Sequence, residues 1–151
     1  MQDIILAVVD NYNKQIELYN EMADLARQQL NVLEARLNGT AENTNLAQIL
    51  IERQQLLEKI EELEETNKSL KQRACQQMGI EAFVLSRLKP GLNEEEYDSL
   101  QEVLINVGSL LTSIQEIDDK NQRLMNRTLV VNRKRTVTAD QARNAYNQNK
   151  K

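Results

Sequence analysis

Gln2–Leu37 reads QDIILAVVDNYNKQIELYNEMADLARQQLNVLEARL, and its apolar residues recur in two interleaved series with steps of seven. One series is Ile5, Tyr12, Tyr19, Ala26 and Leu33; the other is Val9, Ile16, Ala23, Leu30 and Leu37. Together they alternate spacings of four and three, the pattern of the a and d positions of a coiled-coil-like helix. At about 1.5 Å per residue this helix is roughly 50 Å long, more than a compact globule of this mass needs, so an elongated rod is expected. The seam is one-sided and must be covered by further helices.

The chain around it is suited to supply them. Its 151 residues set one domain as the natural expectation. Only four Gly and one Pro punctuate it, and with four Tyr, one Phe and no Trp the core must be filled by aliphatic residues at helical spacing. Asn38-Gly39-Thr40 ends the first helix, because Gly39 can take the left-handed conformation that closes a helix C-terminus. A second helix, about 45–78, carries Ile49, Leu56, Ile60, Leu63, Leu70 and Ala74 on one stripe, interrupted in the same register by Arg53 and Asn67. Asn67 either sets register, at some cost in stability, or sits at the seam's edge and meets water. The glutamate-rich run 58–65 reads as a solvated helix face.

Gly79 is placed to cap this helix. Ile80, Phe83, Val84, Leu85 and Leu88 then predict a short buried helix over 80–88, stopped by Pro90. Asn93 followed by Glu96 has capping-box spacing, and Glu94-Glu95-Glu96 suits the positive end of a helix dipole. A third long helix is expected over 94–129, with Tyr97, Leu100, Leu104, Val107, Leu111, Ile114, Asn121, Leu124 and Thr128 on one face. Ile117 and Val131 adjoin that face, and Asn121 is a second candidate register-setting residue.

Charge divides the chain near the same place. Residues 1–121 hold 22 acidic and 11 basic side chains, a net of −11, whereas residues 122–151 hold one acidic and eight basic, a net of +7. The β-branched Thr128, Val130, Val131, Thr136, Val137 and Thr138 weaken the helical signal beyond Leu129. The expected organisation is therefore an all-α, elongated antiparallel three-helix bundle over 1–129, followed by a basic tail over 130–151. That tail is helical or mobile and free to meet a partner. It could dock on the acidic bundle or, through Arg133-Lys134-Arg135, meet an anionic surface. It has no interleaved aromatics, so nucleic acid is not the expected partner.

Chemistry is not indicated. The absence of His removes the commonest general base and transition-metal ligand, and the carboxylates lie on exposed faces with nothing to raise their pKa values. There is no Gly-rich phosphate loop or Cys cluster, and Cys75 has no intrachain partner. The expectation is a protein that is not an enzyme and needs no cofactor or metal. No stretch reaches the ~20 apolar residues of an integral membrane segment, and the opening residues lack a basic signal-peptide start, so a cytoplasmic location is expected.

With these residues in view, the layout resembles the FlgN family of flagellar type III export chaperones across essentially the whole chain. Ile51–Glu64, IERQQLLEKIEELE, looks like the family's charged central helix. After the Gly79-Ile80 break, Ile114, Ile117, Asn121, Leu124 and Met125 resemble its asparagine-and-leucine segment. Family tails often end in Tyr followed by Gly, whereas Ala145-Tyr146 runs here into Asn147-Gln148-Asn149. The resemblance implies a chaperone that binds the C-terminal helical segments of the hook–filament junction proteins FlgK and FlgL. It would keep them from premature assembly and deliver them to the export apparatus. On that reading Val130, Val131, Val137, Ala142 and Tyr146 supply apolar contacts to the client, and Arg133, Lys134 and Arg135 steer the encounter. Two alternatives stand beside it: a structural coiled-coil protein that self-associates as a homodimer or larger assembly, and a FliT-like chaperone for another flagellar substrate.

Overall fold

The computed structural model describes residues 2–39 and 45–150, with side chains described for 3–39 and 45–127. Three long helices dominate: α1 (Gln2–Leu37), α2 (Leu46–Met78) and α4 (Glu94–Lys150), with a four-residue α3 (Leu85–Leu88) and a 3-10 turn (Lys89–Gly91) between the last two. No strand occurs among the described residues, and the all-α bundle expected from the heptads is the fold.

The helix ends follow local chemistry. Gly39 closes α1 at φ +69°. At Gly79, φ +67°, the amide reaches the Gln76 carbonyl at 3.4 Å and the Ile80 amide reaches that of Cys75 at 3.0 Å, a Schellman closure. The α4 capping box is reciprocal: the Glu96 amide donates to Asn93 Oδ1 at 2.8 Å, and the Asn93 amide donates to Glu96 Oε1 at 3.0 Å. The helix expected over 80–88 is shorter than its apolar density suggested. Val84 is extended, and only Leu85–Leu88 is helical. The Gly79 reversal sends the chain across the end of the bundle, and Ile80 and Phe83 reach the core from irregular backbone.

Helix α1 is the centre. Contacts show α2 running antiparallel to it, with Tyr12 against Lys71, Tyr19 against Glu64 and Gln29 against Arg53. Helix α4 runs parallel to it, with Ala26 against Asn121 and Gln29 against Met125. Both neighbours pack extensively along α1 and scarcely approach each other backbone to backbone. Because α1 serves two neighbours, its buried face is wider than one a/d seam. Ile5, Tyr12, Tyr19, Ala26 and Leu33 are buried as expected, but so is a third series with steps of seven, Val8, Gln15, Met22 and Gln29. Leu37, at the end of the second expected series, is exposed.

Helix α4 buries Leu100, Val103, Val107, Ile114 and Asn121, alternating threes and fours once the half-buried Leu110 and Ile117 are included. Val103 and Leu110 thus occupy the seam, and Leu111, expected on it, is 43% exposed. The helical backbone continues past the expected end at 129 to Lys150. β-Branched residues each cost a helix only a few tenths of a kcal/mol, and between Gly108 and Lys150 there is neither Gly nor Pro to stop it. Given the parallel register, Leu37 lies level with residues 132 and 133. About 17 residues, or about 26 Å, of α4 backbone extend beyond the end of α1.

Candidate partner-binding site

Since α2 and α4 flank α1 without closing on each other, a groove runs between them with α1 as its floor. One part, of about 910 Å³, is floored by Tyr12, Gln15 and Tyr19, walled by Asn67 and Lys71 of α2 and Val107 and Leu111 of α4, and closed at one end by Ile80 and Phe83. A second part, of about 420 Å³, shares Tyr19 and Leu111 with the first and continues toward Leu50, Leu57, Arg53 and Asp118. Leu50, Leu57 and Leu111 are 39%, 40% and 43% exposed, so the groove carries apolar side chains along its open edge.

Two polar features lie in it. At the first, the register set by Tyr12–Lys71 and Tyr19–Glu64 places Gln15 opposite Asn67. Gln15 is 1% and Asn67 2% exposed, yet Gln15 Nε2 and both amide atoms of Asn67 have no hydrogen-bond partner. Asn67 is therefore buried within the seam rather than at a wet edge. Lys71 stands beside these amides, its ammonium 4.8 Å from the centre of the Tyr12 ring and 5.5 Å from that of Phe83. The Tyr19 hydroxyl donates to Glu64 Oε1 at 3.1 Å; burial, reinforced by that carboxylate's charge, raises the tyrosine's pKa.

The second feature is a clasp joining all three helices. Arg53 reaches from α2 across α1 to α4, donating from Nη1 to Gln29 Oε1 at 2.6 Å and to Asp118 Oδ1 at 2.8 Å, and from Nη2 to Asp118 Oδ2 at 2.5 Å. This is the bidentate fork that suits Arg to carboxylates. Asn121, 2% exposed, donates to the Ala26 carbonyl and to Asp118 Oδ1, both at 3.1 Å. Burial alone would raise the pKa of Asp118, but the hydrogen bonds from Arg53 and Asn121 and the guanidinium charge outweigh it and hold the carboxyl below its usual value.

The sequence reading marked Arg53, Asn67 and Asn121 as polar residues in seams, and all three lie between helices. It missed Asp118, Gln15 and Gln29; the one signal for the two glutamines was their seven-residue spacing from Val8 and Met22. The tail positions Val130, Val131, Arg133, Lys134, Arg135, Val137, Ala142 and Tyr146 lie on the helical backbone of α4, and their side chains fall outside the described ones. At about 100° per residue these positions form two separate groups around the helix: 130, 133, 134 and 137 on one side, and 131, 135, 142 and 146 on another.

No group of three or more metal-ligating side chains occurs among the described residues. No described helix is long and apolar enough to cross a membrane. The family model described as FlgN protein matches residues 1–151, the whole chain. The chain belongs to the FlgN family. This family is one of flagellar export chaperones, so a helical, groove-bearing FlgN protein is a binding module for other flagellar proteins. No curated protein and no solved structure matches it.

Proposed function

We propose that this FlgN protein is a cytoplasmic chaperone for the hook–filament junction proteins FlgK and FlgL, acting by binding rather than catalysis. It holds their C-terminal helical segments, prevents their premature assembly and hands them to the type III export apparatus. The observation that carries this reading is the extent of α4, whose backbone stays helical for about 26 Å beyond the level at which α1 ends. A helix extended in this way offers a client helix a surface along which to pair, as amphipathic helices do with grooves and partner helices. The basic composition of residues 122–151 raises the rate of encounter with acidic partners. Val130, Val131, Val137, Ala142 and Tyr146 are the proposed apolar contacts, with Arg133, Lys134 and Arg135 guiding the approach.

The test is calorimetric titration of the full chain, and of a chain ending at Arg127, with the C-terminal segments of FlgK and FlgL. The shortened chain retains every buried side chain of the described core, and circular dichroism at 222 nm checks that it keeps its bundle. Binding by the full chain and its loss on shortening support the proposal. Equal binding by both rejects the tail as the grip, and no binding by the full chain rejects these clients.

A further inference from the structure

Helix α4 changes sign along its length. Residues 94–119 hold eight acidic side chains and no basic one, whereas residues 120–150 hold eight basic and one acidic. The helix is continuous across the change, so its basic half cannot fold back on its own acidic half. On the side turned away from α1, steps of four and three from Asp98 to Asn126 reach exposed residues only, among them Ile105, Thr112, Asp119 and Arg123. The same steps continue to the positions of Val130, Arg133 and Val137. Ile105, 62% exposed, has no task within the bundle. We infer that this outer face of α4 is the interface of a two-fold dimer, in which α4 of a second copy lies antiparallel along it with each basic half against the other's acidic half. The inference goes beyond the client assignment and does not rest on it.

The register follows from the stripe. Two such stripes mesh antiparallel only when positions reached by a four-step oppose positions reached by a three-step, which limits the alternatives to shifts of seven residues. One of these is centred on Asn121, beside the change of sign between Asp119 and Lys120, and pairs residues 94–148 of the two helices. It sets Asp119 opposite Arg123, Thr112 opposite Val130 and Ile105 opposite Val137, each pairing occurring twice because the interface is isologous. Asp140, the one acidic residue of the basic half, falls opposite Glu102 and makes the one like-charged pairing of the stripe.

Charge selects a second copy over another partner. A helix of one sign would attract half of α4 and repel the other half, whereas α4 reversed upon itself is complementary along its whole length. Geometry agrees, because Leu100, Val103 and Val107 bury the opposite side of α4, so the two bundles lie outside the pair and leave room for the helices to meet. Val130, Arg133 and Val137 belong both to this stripe and to the proposed client grip. A client therefore displaces the second copy there, while positions 131, 135, 142 and 146 lie on another side of the helix.

The test is sedimentation equilibrium of the full chain without any client, at low salt, with circular dichroism at 222 nm to show that each variant is folded. The wild type should be a dimer that weakens as salt screens the pairing. Ile105→Arg, at an exposed position, should raise the dimer Kd by roughly tenfold or more, since it removes two apolar contacts and sets Arg beside the basic half of the other copy. Asp119→Arg and Arg123→Asp should each raise Kd roughly tenfold, and the double variant, which exchanges the two charges, should return to within about threefold of the wild type. A chain that stays monomeric, one that grows beyond a dimer with concentration, a dimer indifferent to Ile105→Arg, or a double variant as weak as the single ones overturns the inference. None of these results touches the FlgK and FlgL assignment, which stands or falls on its own titration.

Discussion

Removing the carboxylate from the Arg53–Asp118 clasp gives the sharpest test of how the helices are held. Asp118→Ala deletes both arms of the fork and one of the two hydrogen bonds made by Asn121, leaving the Arg53 guanidinium with Gln29 Oε1 and the weak acceptor Met22 Sδ. Breaking a fully buried ion pair costs about 3–5 kcal/mol, because the remaining charge stays buried and uncompensated. Here the Arg53 side chain is 17% exposed and that of Asp118 36%, so water recovers part of the loss. The expected destabilisation is about 2 kcal/mol, which lowers Tm by about 4–8 °C for a domain of this size. Urea denaturation followed by circular dichroism at 222 nm measures it, and Arg53→Met, alone and together with Asp118→Ala, completes a double-mutant cycle. The double variant should lose less than the two single variants together, with a coupling of about 1 kcal/mol or more. An Asp118→Ala protein within about 0.5 kcal/mol of the wild type would refute the clasp as a structural tie.

The same carboxyl gives a pH dependence. The folded state holds Asp118 below its usual pKa, so the unfolded chain binds the proton more readily; its contribution is complete above the unfolded value of about 3.9 and is lost as pH falls through the folded value. Acid titration of Tm should therefore show a component that Asp118→Asn removes. Tyr19 runs the other way: its raised pKa contributes stability that is present below about pH 10 and lost as pH rises above it, and Tyr19→Phe should flatten that alkaline limb. At the start of α4, Asn93→Ala should cost about 1 kcal/mol by urea denaturation through loss of the cap, and Asn93→Ser much less. Gly79→Ala should cost about 1 kcal/mol from strain at φ +67°, although a Cβ there meets no atom within 4 Å; no loss would mean that the turn relaxes.

Much of this fold was legible because its governing signals are local and periodic. The a/d series of α1, the left-handed glycines and the Asn93–Glu96 box each depend on a few neighbouring residues. What escaped was set by which helix sits in the middle. Val8, Gln15, Met22 and Gln29 are buried because α1 faces two neighbours, and a glutamine in a helix ordinarily marks the wet side. Asp118 likewise passes for a solvated carboxylate until α2 brings Arg53 to it. Leu111 was read onto the α4 seam because its heptad spacing fits, and it lies on the groove rim because α2 does not close against α4. The groove itself is a property of that missing contact, to which no single stretch of sequence corresponds. The weakened helical signal beyond Leu129 was real as propensity, but several small penalties do not end a helix that contains no Gly or Pro there.

Hydrogen–deuterium exchange on the full chain, alone and saturated with the C-terminal segment of FlgK, tests the chaperone account most directly. Slowed exchange concentrated at residues 130–146 of α4 is the expected result, with the Arg53–Asp118 region unchanged. A client that binds without altering exchange anywhere in α4 would contradict it.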